Sequence, residues 1–175
     1  MPSKHHALCL SAFAALLLLG VVLPSSGARG QQKSLAEQLV GTWTYVSNDT
    51  VRPDGSRMPM YGPNPQGLAS FDRNGRYVVL IARADLPKFA SGNRTEGTPE
   101  ENKVVVQGSI AHFGRYTVDE AAKTLTFHIE TATFPNWSGV EQKRPFTLTG
   151  DELKWTAPAA SGGGGSAEVV LKRVK

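Results

Sequence analysis

Residues 131 to 148 read TATFPNWSGVEQKRPFTL: an alternating run ends, the chain turns through Pro135-Asn136-Trp137-Ser138-Gly139, and alternation resumes. Counting by twos from Leu148 puts Phe146, Arg144, Gln142 and Val140 on one face, and Thr147 and Thr149 on the other. Such two-sided strands recur on either side. Leu125, Phe127 and Ile129 share a face of the run Thr124 to Thr131, and Leu153, Trp155 and Ala157 oppose Glu152, Lys154 and Thr156 after a Gly150-Asp151 turn.

The pattern extends toward the N-terminus. Thr42 to Ser47 is rich in β-branched and aromatic residues, with Trp43 and Tyr45 on one side. Asp54-Gly55 marks a tight reversal. Strands follow at Gly67 to Phe71 and, across Asp72-Arg73-Asn74-Gly75, at Arg76 to Arg83. There Tyr77, Val79 and Ile81 alternate with Val78, Leu80 and Ala82, so both faces are apolar and the outer one calls for a cover. Ala84 to Lys103 is polar and broken by Pro87, Gly92, Gly97 and Pro99, which reads as a surface loop. At its end Thr98-Pro99-Glu100-Glu101 offers an N-cap, a first-turn proline and two acids, predicting a helix from Pro99 to about Ala111. Val104-Val105-Val106 argues for a strand instead. Further strands are expected at Arg115 to Asp119, Lys143 to Thr149 and Ala167 to Val174.

Ser161 to Ser166 is glycine-rich, but the lysine and following helix of a phosphate loop are missing, so a hairpin loop is expected there. About eight short strands joined mostly by tight turns describe an all-β, antiparallel up-and-down barrel with one short helix, since closure hides the sheet edges.

Residues 1–28 stand apart from this domain. Lys4, His5 and His6 precede an apolar run from Ala7 to Leu23, and small residues at Ser26 and Ala28 suit cleavage near Arg29. That is the pattern of a secretory signal peptide, with an uncleaved N-terminal anchor as the alternative. Residues 29–38 form a linker in which Ser34 and Glu37 have the spacing of a capping box for one helical turn, and residues 39–175 form the barrel domain. Cleavage removes Cys9 and leaves an exported chain, periplasmic or secreted, without a disulfide or a membrane span.

About 147 residues remain, enough for one monomeric domain. The whole chain carries 19 Lys and Arg against 15 Asp and Glu, and these are scattered, so no nucleic-acid footprint appears. Asn48-Asp49-Thr50, Asn93-Arg94-Thr95 and Asn136-Trp137-Ser138 are glycosylation sequons by pattern.

The opening Gly41-Thr42-Trp43 after a one-turn helix resembles the Gly-x-Trp start of lipocalins. Together with Asn64-Pro65-Gln66-Gly67, Phe71-Asp72-x-x-Gly75, Phe113-Gly114-Arg115-Tyr116 and Pro135-Asn136-Trp137-x-Gly139-x-x-Gln142-x-Arg144, it resembles the lipocalin-like domain family of bacterial and fungal proteins, from about Leu39 to Val174. The resemblance implies a calycin-type barrel. By analogy with lipocalins proper it also implies a structural pair in which Arg173 packs over Trp43 at the closed end. Lipocalins proper have a disulfide and a longer barrel, so their ligand preferences do not carry over.

The apolar face of residues 140 to 148 belongs to the barrel interior, and Arg144 and Gln142 go with it. An unpaired guanidinium in an apolar lumen is costly, so Arg144 either meets a protein group that pins the Asn136-Trp137 loop or holds a polar group of a ligand. The second alternative makes the partner a small apolar molecule with a polar or anionic end. Its oxygen would lie on Arg144 and Gln142, and its body among Phe127, Phe146, Leu148 and Trp155, with Trp137 as plug or flap. A lumen above about 300 Å³ is expected of such a carrier. A calycin-type isomerase or cyclase using Arg144, Glu130 or His128, and a barrel filled by its own side chains that acts through its surface, are the rivals.

His128 reads as a solvated strand residue and His112 as a helix-end residue complementing the dipole. No catalytic residue set, metal cluster or cofactor motif emerges.

Overall fold

The computed structural model describes residues 33–175; the expected signal peptide and the first part of the linker lie outside the described residues. Ser34 and Glu37 form the expected reciprocal cap of helix α1 (Leu35–Leu39). The Glu120 carboxylate accepts from the amides of Leu35 and Ala36 at 2.9 Å each, tying this turn to the barrel's end.

Nine strands follow: β1 (Gly41–Val51), β2 (Arg57–Pro59), β3 (Gln66–Phe71), β4 (Arg76–Ala82), β5 (Ser109–Asp119), β6 (Thr124–Ala132), β7 (Glu141–Thr149), β8 (Glu152–Ala157) and β9 (Ser166–Arg173). Each pairs antiparallel with its neighbour in the order β2-β1-β3-β4-β5-β6-β7-β8-β9, and β1 pairs with β9. Eight strands therefore close a barrel, and the three-residue β2 lies beside the second half of β1. Closure pairs all its strand edges, as the many short alternating runs require.

The interior follows the period of two. Tyr77, Val79 and Ile81 of β4, Leu125, Phe127 and Ile129 of β6, and Leu153 and Trp155 of β8 are all buried. In β7 burial falls on Arg144 and Phe146, so the guanidinium does share the inner face. One strand changes face partway. A bulge between Tyr45 and Ser47 in the β1–β9 ladder adds a residue, so Trp43 and Tyr45 point inward before it and Thr50 is buried after it.

Three sequence expectations are corrected. Helix α2 spans Pro99–Gly108, capped as expected by Thr98 and Glu101, but it stops before Ser109 instead of reaching Ala111. Ser109, Ile110 and Ala111 pair with Ala82, Ile81 and Leu80, because extending the ladder buries Ile110 while another helical turn would not. Strand β5 thus begins six residues earlier than Arg115. His112 consequently lies in a strand, not at a helix end. The third correction concerns the outer face of β4: Val78 is 42% exposed and Leu80 49%, and nothing among the described residues covers them.

Candidate functional site

At one end of the barrel, strand ends and short turns pack around α1. There Trp43 is fully buried, its indole N–H donates to Leu39 O at 2.9 Å, and the Arg173 guanidinium sits 4.1 Å from the ring centroid. Arg173 also donates to Val40 O at 2.9 Å and to Gln38 O. This end is sealed.

A cavity lies toward the other end, beneath Met60, Tyr61, Trp137 and the turn after β8. Its volume is about 50 Å³, and its mostly apolar walls include the aromatic rings of Tyr45, Tyr61, Phe127, Trp137 and Trp155. Arg144 opens into it and is only 7% exposed. The guanidinium donates to Gln142 Oε1, two residues along the same face. Among the described residues no carboxylate stands within ion-pair distance of it. Burial lowers its pKa to about 10, partly offset by Tyr77 and Tyr45, so it remains a cation at neutral pH.

His112 shares the cavity wall. Its Nδ1 lies 2.9 Å from the Tyr77 hydroxyl, and its ring stands edge-on to Phe127 and Trp137, at 5.7 and 5.6 Å between centroids. Burial, and then the charge of Arg144, depresses its pKa to about 4. The neutral imidazole is the folded form, whereas the unfolded residue titrates near 6.5. The unfolded chain therefore binds more protons between pH 6.5 and 4. Stability that is fully present above pH 6.5 is lost as pH falls through that window, by on the order of 2–3 kcal/mol. Urea midpoints measured from pH 7.5 to 4 are expected to show this slope in the native protein and to lose it in His112→Phe.

The pentapeptide turn fixes Trp137. Pro135–Trp137 forms one 3-10 turn, and the loop closes through Ser138 Oγ, which accepts from Ala132 N at 3.1 Å, and Gly139 N, which donates to Ile129 O at 2.9 Å. This sets the indole over the cavity mouth, against His112 and 5.8 Å from Phe134.

Of the residues singled out in the sequence, Arg144, Trp137, Phe127 and Trp155 line the cavity. Gln142 reaches it through its bond to Arg144. Phe146 is buried on the same inner face of β7 as Arg144 but does not line the cavity, and Leu148 sits toward the sealed end near Arg173 and Gly150. Glu130 and His128 lie outside the barrel: Glu130 pairs with Arg76, and His128 stands 3.3 Å from Glu141. Neither supplies a proton to the lumen. Tyr45, Tyr77, His112 and Asn48 were not singled out as site residues. Tyr77 was legible from its alternation with Val79 and Ile81, whereas His112 depended on where α2 ends and Asn48 on the bulge in β1.

Residues 40–174 match the model of the lipocalin-like domain family. Over 80 residues the chain is 30% identical to the 4'-hydroxy-3'-methoxypropiophenone carrier protein of Aspergillus oryzae, a match covering 42% of this chain and 72% of that protein. With a closed eight-strand barrel, a Gly-x-Trp opening sealed by Arg173 and a family match over nearly all the described residues, the chain belongs to the lipocalin-like domain family.

Proposed function

We propose that the protein is an exported, monomeric carrier whose lumen takes a small, mostly apolar aromatic molecule, with one carbonyl or anionic oxygen held by Arg144. The observation that carries this reading is the buried guanidinium without a carboxylate. A cation in that position costs free energy in the empty barrel, and an oxygen pair from a ligand compensates it with strong hydrogen bonds. The aromatic walls suit a planar ring. The fungal relative is named for an aryl ketone, which has this combination of ring and oxygen. Export rests on the apolar run from Ala7 to Leu23 and the small residues after it.

At about 50 Å³ the cavity holds a few water molecules at most, well below the 300 Å³ or so of an ordinary ligand site. Binding on this reading therefore requires the mouth to open. Met60, partly buried against the core, is the flexible side chain there, with Ser161 Oγ 3.7 Å from its sulfur, and the adjoining turn contains Gly162 to Gly165. The small volume favours a second reading: a barrel filled by its own side chains that works through the exposed apolar surface around Val78 and Leu80.

Native mass spectrometry of the freshly purified protein, followed by titration with aryl ketones, separates the two. A copurified aromatic or saturable one-to-one binding is the expected result. A protein that neither retains nor binds any such compound is a self-filled barrel.

A further inference from the structure

Beside Arg144, the cavity wall holds a polar side-chain atom without a partner. Asn48 lines the same wall space as Arg144, and its Oδ1 is completely buried with no hydrogen bond. Its backbone carbonyl is satisfied, since Met60 N donates to Asn48 O at 2.9 Å, so the side-chain oxygen is left over. Asn48 reaches the lumen because the bulge after Tyr45 turns the even-numbered residues of β1 inward.

The unmatched groups differ in kind. Arg144 has only N–H groups to offer. Tyr77, kept protonated by burial, and His112 are partners to each other, the hydroxyl lying 2.9 Å from Nδ1. Arg144 thus presents donors, whereas the buried atom of Asn48 is an acceptor. A molecule that satisfies both carries an acceptor oxygen at one end and a hydroxyl at the other, with the ring among Phe127, Trp137 and Trp155.

Resting on the carrier reading above, we propose that Asn48 is a specificity-determining residue that selects hydroxyaryl carbonyl compounds, taking a hydrogen bond from the ring hydroxyl while Arg144 holds the carbonyl or carboxylate oxygen. A ligand hydroxyl relieves the unpaired buried acceptor on binding and gains affinity, whereas a ligand that lacks it leaves the same defect in the complex as in the empty barrel and gains nothing there.

Equilibrium dialysis with acetophenone, 4'-hydroxyacetophenone and 4'-methoxyacetophenone tests this. The wild-type protein is expected to bind the hydroxy compound about 10- to 100-fold more tightly than either of the others, since the methoxy group keeps the oxygen but loses the donor. Asn48→Leu is expected to reduce that preference to about twofold or less. The comparison of the three ketones on the wild type stands even if the variant does not fold. Equal binding of all three overturns the role of Asn48 and leaves luminal carriage intact; so does a hydroxyl preference that survives in Asn48→Leu. Failure of all three to bind the wild type removes luminal carriage of aryl ketones, and this inference with it.

Discussion

Arg144→Met is expected to raise stability and sharply weaken binding at once. Methionine occupies much of the volume of the arginine stem without its charge, and it adapts to irregular gaps. The side chain it replaces is 7% exposed and has only a neutral amide oxygen for company. Removing a buried charge with no carboxylate left behind is neutral or stabilising, here by about 1–3 kcal/mol in urea unfolding. The same change removes charged hydrogen bonds to a ligand oxygen, which lowers affinity for 4'-hydroxyacetophenone by about 100-fold. The opposite pattern, lost stability with retained affinity, would mean that Arg144 is a structural clamp for the Trp137 loop.

The largest loss of stability is expected from Trp43→Ala. The indole is fully buried, bonds to Leu39 O at 2.9 Å, and lies under a guanidinium 4.1 Å away. Its removal leaves a large hole, frees the Leu39 carbonyl and takes away the surface on which Arg173 rests. The expected cost is about 4–5 kcal/mol, a large share of the 5–15 kcal/mol typical of a domain. Arg173→Met, which keeps the indole packed, is expected to cost only about 1–2 kcal/mol. Both are read from urea midpoints. In any fraction of Trp43→Ala that remains folded, ligand affinity should change little, because the cavity lies toward the other end of the barrel. A ligand-binding defect equal to that of Arg144→Met would place the binding site at the sealed end instead.

These two residues were legible for different reasons. Trp43 stood in a local motif, Gly41-Thr42-Trp43 after a capped helical turn, and local motifs survive folding unchanged. Arg144 was legible as an anomaly, a charge in phase with Phe146 and Leu148, and the period of two placed it inside. The counting also made Leu148 a neighbour of the ligand. It shares the face of Arg144 but lies further along the strand, toward the sealed end, and periodicity gives a face without a depth.

His112 and Asn48 show where local reading stops. Thr98-Pro99-Glu100-Glu101 correctly started α2, but its end was set by Ile110 joining Ile81 in the ladder, a contact between residues about thirty positions apart. That pairing turned His112 from a helix-end cation into a buried neutral imidazole. Asn48 belonged by pattern to a glycosylation sequon and by simple alternation to the outside of β1. The bulge against β9 reversed the alternation, and the neighbouring Thr50 became 98% buried, at 2% exposure.

The identity of most strands, their inward and outward faces away from the β1 bulge, the helix starts and the sealing of Trp43 by Arg173 were determined by the sequence alone, because each depends on neighbours within a few residues or on a family motif. The depth of each side chain along the lumen, the end of α2, the inward turn of Asn48 and the narrowness of the cavity were decided only by the tertiary structure. Those properties depend on register and shear between strands far apart in the chain, and the energy that fixes them comes from packing across the closed barrel rather than from any local preference.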